Sequence, residues 1–438
     1  MHALLHWLFS GHARDLSLGK RLAHPPIALL VGVSQLFWLV AAWRWLARRA
    51  RWPLRLALAA AAAAWYAGAF ALTFTLLPHQ RSPVRLTLAQ ALLAAPFQVW
   101  LLGSVGAFLL IALYWLGARA VRLWSRPRRA AVAAAADAAA VAPAPVNPAR
   151  REFLRQAGRA AVAVPFAAGA YGVLHGRVEF ETTHPRIALA KLPAAFHGFR
   201  IAQLSDIHIG PFMTEREVRR VVQMVNALRP DLVVLTGDFV TWDPTTQQAA
   251  VAALAGLRAP FGVYGCLGNH ELYTRTQRSI TRLFHQANVT ILRQAGAMVR
   301  VPGVGGAGTP AQFQLLGVDF IPRKRQTFED YVRVSVPQVA NLMIPGMVNL
   351  LLAHSPNCFY RAAEIGMDLT ISGHTHGGQI CCVTPELSPG RLVSAYVAGH
   401  YRRGAAQLYV NRGLGTIALP MRLFAPPEIT VFELAARI

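Results

Sequence analysis

The stretch RIAQLSDIH (residues 200–208) decides the fold, because four later stretches repeat its plan: LVVLTGD (232–238), VYGCLGNHE (263–271), NLLLAH (349–354) and LTISGHTH (369–376). Each is a short apolar run, then a small residue, then a polar side chain able to bind a cation. Continuous apolar runs of this length read as strands buried on both faces of a sheet. The strand expectations are Phe199–Leu204, Leu232–Leu235, Gly262–Leu267, Phe313–Val318, Val348–Leu352 and Leu369–Ile371. Between them Glu215–Leu228 reads as a helix. Val218, Val221, Val222, Val225 and Leu228 fall at helical spacing, and Pro230 stops it. Thr276–Ala287 reads as a second helix. The glycine-rich Gly303–Gly308 lacks a phosphate-loop pattern and reads as a hairpin tip. Alternating strands and helices predict layered α/β architecture.

In open α/β sheets, sites form just beyond the carboxyl ends of strands. Asp206, Asp238, Asn269, His354 and His374 all stand there, so five strands deliver polar residues to one edge. Carboxylate, amide and imidazole together suit Mn²⁺, Fe²⁺, Zn²⁺ or Co²⁺. The four cysteines (Cys266, Cys358, Cys381 and Cys382) form no C-x-x-C pair, so neither a redox motif nor a zinc knuckle is indicated. Two divalent ions ~3.5–4 Å apart can clamp the attacking and leaving oxygens of a phosphoester displacement and lower the pKa of a water. They repel, so a bridging carboxylate is wanted, and Asp238 on a central strand is well placed. Taken singly, Asp206 is a turn or cap residue and His354 a hydrogen-bonded surface histidine. The ordered set favours metal. Gly377, Gly378 and Gln379 either approach a phosphate or form the turn after His376. Arg412 either binds an anion or makes a surface ion pair. His184, His197, His285 and His400 match no motif.

The blocks D-x-H, GD, GNHE, H and GHTHGGQ, in this order, resemble the calcineurin-like metallophosphoesterase superfamily, over roughly residues 195–438. The later LYVNRGLGT and PMRLFAPPEIT resemble its bacterial, often membrane-anchored branch. The resemblance implies two mixed β-sheets packed together and flanked by helices. It implies one metal held by Asp206, His208 and His376, and another by Asn269, His354 and His374, with Asp238 bridging. His270 is then the acid or charge stabiliser beside the leaving group, and Glu271 its orienting partner.

The chain ahead of these blocks has a different character. Of 438 residues, 54% are hydrophobic and 15% charged, against roughly 25% charged in a soluble domain. Three apolar segments, 27–45, 56–77 and 92–116, are near the ~20 residues that cross a bilayer. Residues 121–156 are rich in Arg, Ala and Pro and read as a flexible linker. Arg150-Arg151-Glu152-Phe153-Leu154-Arg155 resembles a twin-arginine signal placed in mid-chain, and 157–174 reads as a fourth span or anchor ahead of a catalytic domain at 178–438. The formal net charge of +24 sits mostly here: residues 1–180 hold 20 Lys and Arg against 4 Asp and Glu, residues 181–438 hold 24 against 16. Arginine flanking membrane spans accounts for that, and no nucleic-acid partner is expected. The loops after the first and third spans are the arginine-rich ones, which puts them in the cytoplasm. A fourth crossing then puts the catalytic domain outside it, on a bacterial inner membrane.

The expectation is a membrane-anchored, metal-dependent phosphoesterase that uses metal-activated water on a phosphoester at the bilayer surface, such as a lipid or nucleotide-linked lipid. The second reading is a pyrophosphatase of the UDP-2,3-diacylglucosamine type in lipid A synthesis. A non-enzymatic membrane scaffold ranks below both, since none of the seven ligand positions is substituted. A transporter is disfavoured by spans without ionisable residues.

Overall fold

A computed structural model of the chain describes residues 25–71, 88–135, 147–210, 212–301, 310–319, 331–381, 384, 387–392, 394–417 and 419–436. They fall into two compact units, one helical (within 22–72 and 91–171) and one built on sheets (from 172 onward).

The helical unit comprises α1 (Pro25–Ala47), α2 (Trp52–Ala71), α3 (Leu88–Ala135) and α4 (Pro148–Tyr171). All four are long and apolar enough to cross a membrane. Leu36, Leu39, Leu113, Trp115 and Leu116 point outward and are exposed, as lipid-facing side chains of a spanning helix would be. The interior is held by close packing and a few polar bonds. A Cβ on Gly103 of α3 would collide with the Phe166 ring of α4, and Trp38 and Trp100 stack edge-on or tilted against that ring at 6.2 and 5.8 Å. Gln35 donates to Ser104 (2.9 Å) and accepts from the Trp100 indole (3.1 Å). So α4 belongs to the bundle and is not a separate surface helix.

The linker expectation for 121–156 is corrected at both ends. α3 continues to Ala135, because Ala and Arg are strong helix formers. α4 starts at Pro148, with Asn147 capping the amides of Ala149 (2.9 Å) and Arg150 (3.3 Å) and proline suited to the first helical position. Residues 72–77 of the second expected span and 136–146 of the linker lie outside the described residues. The expected 157–174 segment is the second half of α4 plus a π-helical turn, Gly172–Gly176.

In the second unit the strands are β1 (Glu181–Thr183), β2 (Arg186–Leu189), β3 (Arg200–Leu204), β4 (Leu232–Thr236), β5 (Val263–Cys266), β6 (Val289–Ile291), β7 (Ala295–Val301), β8 (Ala311–Gly317), β9 (Asn349–Leu352), β10 (Leu369–Ser372), β11 (Gly399–Arg403), β12 (Ala406–Val410) and β13 (Glu428–Ala436). One sheet runs β1-β13-β3-β4-β5-β6, with β2 also on β13; the other runs β11-β12-β10-β9-β8-β7. Both are mixed: β3 to β6 and β8-β9-β10-β12 are parallel, while β13 against β3, β11 against β12 and β7 against β8 are antiparallel.

The sheets pack face to face on a core that includes Ile201, Leu232, Val234 and Phe432 from one and Phe313, Leu315, Leu350, Leu352 and Ile371 from the other. The alternate residues Ala202, Val233 and Leu235 meet α5 (Glu215–Ala227), α6 (Gln247–Leu254) and, beyond the short α7 (Asn269–Tyr273), α8 (Gln277–Gln286). Leu316 and Leu351 of the second sheet meet α9 (Val336–Ala340) and α10 (Phe359–Glu364). Both faces of the central strands are therefore buried, which is why they read as unbroken apolar runs. α5 carries a reciprocal cap, Thr214 Oγ1 on the Glu217 amide and Glu217 on the Thr214 amide. The remaining strands are short or mixed in character, as in the polar edge β11, GHYRR, and the apolar-run criterion passes over them. The 303–308 tip lies outside the described residues, between the paired β7 and β8.

Candidate metal centre

The carboxyl ends of β3, β4, β5, β9 and β10 meet where the two sheets abut. Beneath them Gln203 of β3 donates to Thr236 Oγ1 (2.9 Å) and to the Ser372 carbonyl of the opposite sheet (2.8 Å). His354 Nδ1 bonds the Thr236 carbonyl at 2.6 Å across the same seam. The ends of β3, β4 and β10 then turn sharply: Asp206, His208, Asp238, His374 and His376 all have left-handed backbone, φ between 47° and 73°. Five non-glycine residues in that region cost several kcal/mol together, at ~1–2 kcal/mol each. Such strain concentrated at one spot marks a site.

The side chains converge into three groups. Asp206, His208 and His376 form one group of donors within 4.8 Å; Asp238, His354 and His374 form a second; His208, Asp238 and His270 form a third. Asp238 Oδ2 lies 3.1 Å from His354 Nε2 and 3.5 Å from His208 Nε2, between the two sets. His376 Nε2 is 3.4 Å from Asp206 Oδ1, and His354 Nε2 is 3.1 Å from His374 Nδ1. Asn269 is buried at the end of β5.

A divalent ion fits these residues. Both ring nitrogens of His208 and Oδ1 of Asn269 are buried without a hydrogen-bond partner. Orphaned polar atoms at this depth cost ~1–3 kcal/mol each, and a cation supplies what they lack. The imidazoles are tuned to the same end. Burial, then the neighbouring His270, drives His208 well below its usual range. Burial and Arg422 do the same to His376, and burial and His354 take His374 down to about 4. Those three rings are neutral at pH 7, the form in which an imidazole can ligate a metal. Burial also depresses His354, but Asp238 and Asp206 outweigh it and raise the ring to about 9. A metal entering beside His354 must therefore displace a proton.

His270 and Glu271 do not form the pair expected of them. His270 Nδ1 bonds the Thr241 carbonyl, and its amide donates to Asp238 Oδ1 at 2.9 Å. Thr241, not Glu271, orients the ring, and Nε2 points toward Asp238 Oδ2 at 4.0 Å. Trp242 and Tyr273 flank it at 4.4 and 5.5 Å. Glu271 instead accepts four backbone amides, Asp238 (3.0 Å), Phe239 (2.8 Å), Val240 (3.2 Å) and Gly268 (2.9 Å). It clamps the loop after β4 to the loop after β5. Burial and the charge of Asp238 raise its carboxyl to about 7.

The three candidate substrate contacts are already engaged. Arg412 pairs with Glu181 (2.7 Å) and the buried Glu428 (3.3 Å), the ion-pair alternative. The space a side chain would fill at Gly377 (φ 60°) is occupied by Arg412 Cγ, 2.8 Å away, and that at Gly378 (φ 79°) by Ser388. The turn reading of these glycines is the one the packing supports. Sequence reasoning passed over Arg422, which is 1% exposed. Its guanidinium donates to the carbonyls of Gly413, Gly415 and Ala425 and faces His376 Nδ1 at 3.3 Å. Burial pulls it down to about 9, so it stays charged at pH 7.

Comparison with known proteins agrees. The profile of the family described as calcineurin-like phosphoesterase matches residues 199–378. YkuE, an uncharacterized metallophosphoesterase of Bacillus subtilis (strain 168), is 31% identical over 294 residues, covering 65% of this chain and 97% of that protein. A transmembrane protein with a metallophosphoesterase domain from Danio rerio is 30% identical over 263 residues, 59% of this chain and 58% of that one. Its counterpart from Bos taurus is 31% identical over 63% of this chain and 62% of that one, so the chain spans less than two thirds of either. A solved dimetal phosphatase from Danio rerio aligns with a TM-score of 0.30 and 12% identity over 50% of this chain and 88% of that one. On its motifs, its profile match and its relatives, the chain belongs to the calcineurin-like phosphoesterase family.

Proposed function

We propose that the chain is a membrane-anchored phosphoesterase with a dinuclear metal centre. Asp206, His208 and His376 hold one ion, Asn269, His354 and His374 the other, and Asp238 lies between. The observation that carries this reading is the convergence of two donor groups on one buried aspartate, with the His208 nitrogens and Asn269 oxygen left without a hydrogen-bond partner. Two divalent ions held by these residues would supply an activated water and draw charge from the phosphoryl oxygens. The chain's own residues supply the rest. Asp238 offsets the repulsion between the ions. Thr241 anchors the His270 ring through Nδ1 and leaves Nε2 facing the site, from which the doubly protonated ring would give its Nε2 proton to the leaving oxygen. Trp242 and Tyr273 cover the outer side of that ring.

The full chain in detergent is expected to hydrolyse bis-p-nitrophenyl phosphate with Mn²⁺, to lose activity on chelation and to regain it when Mn²⁺ is returned. Turnover indifferent to chelators would contradict the reading. UDP-linked lipids and monoesters belong in the same assay to resolve substrate class.

We further propose that the site lies outside the cytoplasm of a bacterial inner membrane. The packing of α4 into the helical bundle supports a fourth crossing, and the arginine-rich loops support the orientation. A carboxyl-terminal reporter active only outside the cytoplasm is expected to be on; a silent reporter, with protein present, places the site inside.

A further inference from the structure

We infer that the sheet unit carries its own lipid-docking surface, formed by Leu174, Leu387 and Phe424, and that the phosphoester it hydrolyses is taken from the bilayer rather than from solution; this rests on the phosphoesterase reading above.

The first observation is exposure. Leu174, Leu387 and Phe424 are 64%, 62% and 55% exposed, the most exposed large apolar side chains among the described residues of the sheet unit. Phe424 also has left-handed backbone, φ 54°, and is the one apolar residue among the described non-glycine residues in that conformation. An aromatic there is strained, and it persists because the chain is fixed on both sides. Leu423 exchanges backbone bonds with Gln379 and Cys381 before it, and Arg422 Nη1 holds the Ala425 carbonyl after it. The fold spends strain to hold a phenyl ring in the open.

The second observation is continuity with the membrane. The fourth candidate span runs to Gly176, and Leu174 lies in its last turn. Gly172 of that turn accepts the Arg422 amide at 3.2 Å and packs on Met421. The 419–424 segment is thus bonded to the end of the span. Leu387 borders the same segment: Ser388 beside it fills the space at Gly378, and Ile380 bridges to Leu423. A span that ends at Gly176 carries the residues bonded to its last turn, the 419–424 segment among them, toward the lipid surface.

The third observation links this surface to the metal site. Arg422 bonds the span's last turn through its amide and faces His376 through its guanidinium, 3.3 Å from Nδ1. A proposed metal ligand therefore stands one arginine side chain from the membrane segment. The headgroup layer is roughly 5–8 Å deep on each side. The phosphates of lipids lie at that level, and a site held there meets them without lifting the lipid out.

The test uses the full chain in phosphatidylcholine vesicles with Mn²⁺ and two diesters sharing one leaving group: soluble bis-p-nitrophenyl phosphate and bilayer-embedded dioleoyl-phosphatidyl-p-nitrophenol. The double variant Leu387→Gln, Phe424→Gln is expected to lose about tenfold or more on the lipid diester, from lost apolar insertion, while keeping its rate on the soluble one. Equal rates to wild type on both overturn the proposal. A wild type inactive on both overturns the phosphoesterase reading instead, and a second readout then decides the surface. A nitroxide on Phe424→Cys, in a Cys382→Ser background whose described cysteines are all buried, should collide with oxygen and be shielded from a water-soluble nickel complex. A label on the exposed Arg402→Cys should show the reverse. Equal nickel access at both positions overturns the proposal.

Discussion

Asp238→Asn is expected to lower kcat/KM for bis-p-nitrophenyl phosphate by more than about a thousandfold, because in the proposed dinuclear centre the substitution strikes the group the two ions would share. Asparagine matches aspartate in size and can keep the acceptor that takes the His270 amide at 2.9 Å. What it removes is the negative charge at Oδ2, 3.1 Å from His354 and 3.5 Å from His208. Unit charges 4 Å apart interact by ~4 kcal/mol at an effective dielectric of 20, and two divalent ions repel about four times as strongly. Without the shared carboxylate the second ion is expected to leave. Folding should survive, so a normal melting curve beside lost turnover is the expected pair of results. Wild-type turnover in this variant sinks the assignment of Asp238.

Glu271→Ala should unfold or loosen the site without touching a ligand. Four amides converge on this buried carboxylate, and truncation strands all of them. An orphaned buried donor costs ~1–3 kcal/mol, and after partial relaxation a loss of about 4 kcal/mol is expected. For a unit of this size that lowers Tm by about 8–16 °C. Glu271→Gln keeps the volume and one acceptor oxygen, and should fall between alanine and wild type. If Glu271 acted by orienting His270, as the GNHE motif alone suggests, both variants would lose activity and keep their melting temperature. Thermal melts and rates on the same preparations separate the two roles.

That contrast shows what the sequence could and could not convey. The strand ends were legible because strands buried on both faces leave unbroken apolar runs, and Asp206, Asp238, Asn269, His354 and His374 follow them directly. The fold class came from that alternation. Glu271 was assigned the wrong partner because its true partners are backbone amides, which no residue type announces. The NRG motif leaves Arg412 either an anion contact or an ion pair, and only the fold brings it Glu181 and Glu428, from β1 and β13. Arg422 sits in LPMRLF with the look of a surface charge, yet it is buried behind His376. The left-handed backbone at five site residues has no sequence signature outside glycine. Residues 121–135 were read as linker since they lack an apolar stripe. Helix propensity in an Ala and Arg run needs no stripe.

Two ions around Asp238 can be counted. The full chain, stripped of metal and titrated calorimetrically with Mn²⁺, is expected to bind two equivalents, with phosphodiesterase activity complete only at the second. Saturation and full activity at one equivalent, or no binding at all, would contradict the dinuclear account.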